Sequence, residues 1–275
     1  MIGTLAMLTV LTLILLGVGW LLGGIFGMAV GLGFAILINF VSYWYSDKLV
    51  LRMYKAKPFD DKTVKGIIKD LAREAEIPEP PLYIVETQVP NAFATGRNPK
   101  HAAVAVTRGI LDLDKKELEG VLAHEISHIK NRDTMISTIA ATIAGAISFL
   151  AQIGYYSMFF GSGERKGEGN ILGLIVILIF APLAAAIVRL AISRGREYKA
   201  DLTGALITKE PHHLASALRK IHEVAKDYPI KGSAATSHLW FVNPFKGDWF
   251  IQMFSTHPPV EKRIARLEEM EGFKE

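Results

Sequence analysis

The chain has 275 residues, 50% of them apolar, with no cysteine and a formal charge of +4 from 31 basic and 27 acidic side chains. Without cysteine, disulfide scaffolds, thiolate metal clusters and cysteine nucleophiles are excluded, so any metal site must use His, Asp or Glu. The charge is modest and no basic surface with interleaved aromatics accompanies it, which argues against a nucleic-acid partner.

Taken in chain order, residues 4–22 form an uncharged run about as long as a bilayer's hydrocarbon core, and residues 25–45 form another. Only Gly23 and Gly24 separate them, which predicts a tight helical hairpin. The first run has no basic leader and no small-residue cleavage site after it, so a retained span is expected rather than a signal peptide. Gly27, Gly31 and Gly33 predict close helix packing, and Tyr43, Trp44 and Tyr45 an interfacial anchor.

Residues 46–133 have soluble character. The spacing predicts an amphipathic helix over 60–76, ended by the prolines from Pro78 to Pro81, and strands at 82–86 (LYIVE) and 102–107 (AAVAVT). NAFATGRNPK lies between the strands. A further helix starts near Asp114, where Asp114 and Glu117 have capping-box spacing. Apolar character returns at 135–160 and 171–192, joined by GSGERKGEGN; Pro182 and this loop permit either full crossings or an interfacial course. Helices are expected again at REYKADLTGALIT, HHLASALRKIHEVAKD and VEKRIARLEEME. Basic residues follow the second span (Lys48, Arg52, Lys55, Lys57) and the fourth (Arg189, Arg194, Arg196, Lys199), which predicts a multi-pass protein of the cytoplasmic membrane with its soluble parts in the cytoplasm.

The chemistry lies in His124-Glu125-Ile126-Ser127-His128, an H-E-x-x-H sequence on a helix. Residues four apart share one helix face, so two imidazoles can bind one metal ion. Glu125 projects beside them, where a carboxylate can take a proton from water that zinc activates. Leu118, Val121, Leu122, Ile126 and Ile129 show that part of this helix is buried, and buried His and Glu need a partner. A catalytic zinc site has three protein ligands, and Glu197 in RGREYKAD is the candidate third. The H-E-x-x-H helix ends just before the third span and Glu197 follows the fourth, so antiparallel spans would bring the two together. Asp201, one turn on, could orient a zinc-binding imidazole. Roughly six residues separate His128 from the third span, roughly 9 Å along a helix, which sets the metal close to the membrane. The remaining histidines (His101, His212, His213, His222, His238) show no ligand spacing and read as structural or solvated.

The N-terminal hairpin, NAFATG (Asn91 to Gly96), HEISH, REYKAD and STHPP followed by Arg263 span nearly the whole chain. In that order they resemble the HtpX family of membrane metalloproteases, relatives of the CAAX prenyl endopeptidases. The resemblance implies a gluzincin-type fold, one Zn2+ and endoproteolysis of damaged or misassembled membrane proteins. It places Asn91 and Ala92 on an edge strand that pairs with the substrate backbone; from the residues alone NAFATG reads equally as a turn with a glycine exit. His257, presented by Pro258 and Pro259, and Arg263 become candidates to stabilise the oxyanion; unaided, they read as a loop histidine and a helix-face arginine.

The expected fold is a mainly α membrane protein: four transmembrane helices with a cytoplasmic gluzincin-like metalloprotease domain containing a small β-sheet. It divides into a hairpin (1–45), a first catalytic part (46–134), two further spans (135–193) and a second catalytic part (194–275). The expected partners are the lipid bilayer and membrane protein or peptide substrates; the sequence leaves the oligomeric state open. A zinc amidase or a prenyl-protein-type peptidase acting on a lipid-linked substrate would share every ligand, but would not need a strand edge near Asn91. A membrane scaffold carrying a relic of the motif would be expected to lack Glu125 or the third ligand, and both are present.

Overall fold

The computed structural model describes residues 2–139, 194–227 and 258–271. The expected spans beyond residue 139, the loop GSGERKGEGN at 161–170, His238 and His257 lie outside the described residues.

Helix α1 (Ile2–Trp44) is broken at Gly23 and at Gly24, whose φ of 57° and ψ of −139° suit glycine alone. The chain folds back there, as the two-glycine interruption predicts. A Cβ on Gly19 would lie 2.2 Å from the carbonyl oxygen of Gly27, and one on Gly31 would lie 2.3 Å from that of Leu15. The arms therefore touch backbone to backbone, and the Asn39 amide donates to Thr12 Oγ1 across them at 2.9 Å. Gly33 takes no part: two residues past Gly31 it is turned about 200° around the helix, and nothing lies within 4 Å of its Cβ position. Ile25, Phe26, Ile36 and Leu37 point outward, an arrangement suited to lipid rather than water. Among the described residues one helix, Gly23–Trp44, is long and apolar enough to cross a membrane, and Leu8–Gly17 is a shorter apolar helix.

Beyond the hairpin come α2 (Ser46–Met53), the two-residue strand β1 (Lys57–Pro58) and α3 (Lys62–Glu74). The Asp61 carboxylate caps α3 by accepting from the backbone of Thr63 and Val64. Strands β2 (Leu82–Val85), β3 (Ala92–Gly96) and β4 (Ala102–Thr107) complete a sheet ordered β1-β2-β4-β3. β4 is buried along its whole length because both faces of the sheet are covered. Val104 and Val106 enter the main core, while Ala103 and Ala105 join Phe93, Val50 and Leu51 under α2.

Helix α4 (Lys115–Lys130) opens with the expected capping box between Asp114 and Glu117. A helical run at 134–139 follows it, and after that come, among the described residues, α5 (Arg194–Thr208), α6 (Pro211–Asp227) and α7 (Val260–Glu271). α4 runs through the middle, packed by α3, α5, α6 and β3. Val121, Leu122, Ile126 and Ile129 of α4 share one core with Ile68 and Leu71 of α3, Leu218 and Ile221 of α6 and Leu267 of α7. Buried Glu117 also joins α4 to α6, accepting from Ser216 Oγ and Lys220 Nζ, each at 2.7 Å. Besides the packing of α2, Arg97, just past β3, ties the sheet to the end of the apolar hairpin: it donates to the carbonyl of Trp44 at 3.1 Å and lies over its indole.

Candidate active site

Mid-helix on α4, His124 and His128 stand one turn apart with their rings perpendicular and their Nε2 atoms 3.1 Å from each other. Glu197 reaches them from the first turn of α5, with Oε2 3.7 Å from His124 Nε2 and Oε1 3.6 Å from His128 Nε2. The approach of α5 depends on Gly204, where a Cβ would lie 3.2 Å from the backbone nitrogen of His124. Glu197, Ala200, Asp201 and Gly204 are buried at i, i+3, i+4 and i+7, so α5 turns two carboxylates and two small residues toward α4.

The three side chains each offer one ligand atom within 4.8 Å of the others. Zn–N bonds of about 2.0–2.1 Å in a tetrahedral site separate neighbouring donors by roughly 3.3 Å. The separations here bracket that value, and two imidazoles with a carboxylate are a catalytic zinc donor set. The residues present therefore fit a metal ion.

Each imidazole is also held from behind. His124 Nδ1 is 2.9 Å from Asp201 Oδ1, and His128 Nδ1 is 3.4 Å from Asp133 Oδ2. Such contacts fix the tautomer that leaves Nε2 facing the common point. Arg263, only 1% exposed, holds Asp201 in a two-pronged ion pair, Nε to Oδ2 at 2.9 Å and Nη2 to Oδ1 at 2.7 Å. Its Nη1 lies 3.8 Å from Glu197 Oε2.

The electrostatics follow from these contacts. Burial alone would lower the His124 pKa, but hydrogen bonds to Asp201 and Glu197 outweigh it and raise it to about 9. Burial pushes Asp201 the other way, yet Arg263 and His124 hold it down at about 2. Burial raises the Glu125 pKa above the usual carboxylate range, the direction that suits a group exchanging protons near neutral pH.

β3 is the edge of the sheet beside this cluster. Along an antiparallel pair, successive residues turn their backbone groups alternately to the partner and away. Asn91 faces β4: its carbonyl accepts from Thr107 N at 2.9 Å and its own N–H donates to Thr107 Oγ1 at 2.8 Å. Ala92, Ala94 and Gly96 consequently face the outer edge. There the Ala94 N–H donates to Glu125 Oε2 at 2.7 Å and the Gly96 N–H to Thr138 Oγ1 at 3.2 Å.

His124, Glu125, His128, Glu197, Asp201 and Arg263 are thus brought together, with Ala92 on the adjoining edge and Asn91 turned toward β4. Asp133 and Thr138 were not singled out by sequence. Asp133 follows the end of α4 and returns to His128 only because Arg132 adopts a left-handed φ of 61°, for which the local sequence carries no glycine signal.

The model of peptidase family M48 matches residues 58–271. The chain is 53% identical over 263 residues to a protease HtpX homolog of Pyrococcus furiosus, covering 94% of this chain and 91% of that protein. It is 47% identical over 273 residues to a protease HtpX homolog of Desulforapulum autotrophicum, covering 97% and 88% respectively. Among solved structures it is similar to the crystal structure of S. mikatae Ste24p, with a TM-score of 0.48 and 19% identity, over 93% of this chain; it spans 61% of the length of that one.

Proposed function

Since the chain belongs to peptidase family M48 and is a membrane metalloprotease of the HtpX type, we propose that it binds one zinc ion through His124, His128 and Glu197 and cleaves membrane proteins within their chains. The observation that carries the reading is the convergence of those three donors, within 4.8 Å, beside the Glu125 carboxylate. Bound zinc would polarise the scissile carbonyl and acidify the attacking water. Glu125 takes the proton from that water and returns it to the leaving amine. Asp201 and Asp133 orient the two imidazoles, and Arg263 acts through them as a positioning residue by holding Asp201. His257 supplies positive charge to the oxyanion. The substrate docks as an added strand on the outer edge of β3, pairing with Ala92, while Asn91 contributes its side-chain amide.

That edge is what favours a protease over a zinc amidase: an extended peptide needs a strand to lie on, and β3 runs directly beside Glu125. The membrane arm, the outward apolar residues and the expected spans at 135–160 and 171–192 support a four-span protein of the cytoplasmic membrane. Residues 1–45 and 135–193 would lie in the bilayer, and 46–134 and 194–275 would form the catalytic domain in the cytoplasm. Its role is the removal of damaged or misassembled membrane proteins.

The test is cleavage of a model membrane protein by the zinc-loaded protein in detergent, beside Glu125→Gln prepared identically. Wild type should cut, and the variant should hold the same zinc while turning over about 10²–10⁴-fold more slowly. Equal cutting by both would remove Glu125 from the mechanism.

A further inference from the structure

A second cluster of donors stands away from His124 and His128. Glu210, His212 and His213 occupy the turn between α5 and the first residues of α6, and each offers one ligand atom within 4.8 Å of the others. His212 Nδ1 is 3.2 Å from Glu210 Oε2, and the two imidazole rings lie 4.2 Å apart. We infer that Glu210, His212 and His213 form a second site for a divalent transition-metal ion, separate from the catalytic cluster.

Three features make this more than a chance grouping. His213 is only 9% exposed, and its buried Nδ1 has no hydrogen-bond partner among the described residues. A buried ring nitrogen without a partner calls for an explanation, and a bound ion is one that imidazole serves well. The backbone is also held in place. Gly120 of α4 lets α6 come so close that a Cβ there would lie 3.0 Å from the carbonyl carbon of His213. On the other side, Lys209 turns the chain with a left-handed φ of 58°, and Pro211 starts the helix. Finally, the donors match a class of ion: two imidazoles and one carboxylate select zinc or its neighbours over magnesium and calcium, which take oxygen. The positive end of α6 opposes a cation here, and the Glu210 carboxylate offsets it.

An ion at this turn would tie the end of α5 to the start of α6. Since α5 carries Glu197 and Asp201 and α6 packs on α4, the ion would brace the frame around the catalytic cluster without touching it.

The experiment is zinc equilibrium dialysis of the full-length protein in detergent, read by metal analysis, with His212→Ala and Glu197→Gln prepared alongside. His212 is half exposed, so its replacement leaves the fold intact. Wild type is expected to take up two equivalents. His212→Ala should take up one and keep its proteolytic activity, and Glu197→Gln should lose the catalytic equivalent while keeping this one. A wild type that saturates at one equivalent would overturn the inference, as would His212→Ala still binding two.

Discussion

The backbone N–H of Ala94 donates to the carboxylate of Glu125 at 2.7 Å, in a buried contact between an edge strand and the residue that follows His124. The proposed base and the proposed docking edge are therefore one hydrogen-bonded unit. Ala94→Pro removes this donor at an outward-facing position, where no ladder hydrogen bond is lost. The contact lowers the Glu125 pKa against the larger effect of burial, so its removal must raise it. Activity requires the ionised carboxylate; the acid limb of the kcat/KM profile should move to higher pH. An unmoved limb would show that the contact does not tune the base.

Asp133→Asn and Asp201→Asn should each weaken zinc about 10–100-fold, measured by competition with a chelator, because both lose the carboxylate behind a ligating imidazole. Their effects on folding should differ. Asp201 is the buried partner of Arg263, and loss of that two-pronged pair should destabilise the metal-free protein, by less than the about 3–5 kcal/mol of a fully unpaired buried charge because Glu197 remains 3.8 Å from Nη1. Asp133 has no guanidinium partner among the described residues, and its replacement should change the metal-free melting temperature far less.

Zinc uptake should depend on pH with a definite sign. In the metal-free protein His124 holds a proton up to about pH 9, and that proton must leave for the nitrogen to bind metal. Apparent affinity should therefore rise about ten-fold per pH unit below that value from this group alone. Titrations at pH 6, 7 and 8 would check it, and a flat response would mean that His124 is neutral before metal arrives.

Two glycines on helices should respond oppositely to alanine. At Gly120 a Cβ would lie 2.7 Å from the backbone nitrogen of Leu214, so α4 and α6 must part, at a cost of about 1–3 kcal/mol. At Gly66 on α3 nothing lies within 4 Å, and alanine should stabilise by about 0.4–1 kcal/mol through the unfolded chain. Melting temperatures of the two variants should fall on either side of wild type.

What the sequence disclosed was local. The Asp114–Glu117 capping box, the i,i+4 histidines and the apolar repeat of α3 each depend on neighbours a few residues away, and each appears where the spacing predicts. The placement of Glu197 beside the two histidines was legible because the order of apolar and polar segments limited which polar segment could return to α4. β3 was legible only through the family resemblance: from its residues alone AFATG, small and without alternation, reads equally as a turn, and its strand character comes from pairing with β4. Gly33 was misjudged because spacing does not say which face of a helix meets its partner, whereas Gly19, unremarked in the sequence, lies at the closest approach. The burial of Arg263 arises from a partner 62 residues away in sequence, beyond the reach of any local pattern.

Arg97 binds the carbonyl and the ring of Trp44, where the apolar arm ends. The strand proposed to receive a peptide is thus joined to the end of the apolar helix both through this contact and through its packing under α2. The tilt of an apolar helix follows the thickness of the lipid around it. In the proposed four-span arrangement, bilayer thickness would then become a variable of the site, setting the height above the membrane at which a chain meets the cutting edge.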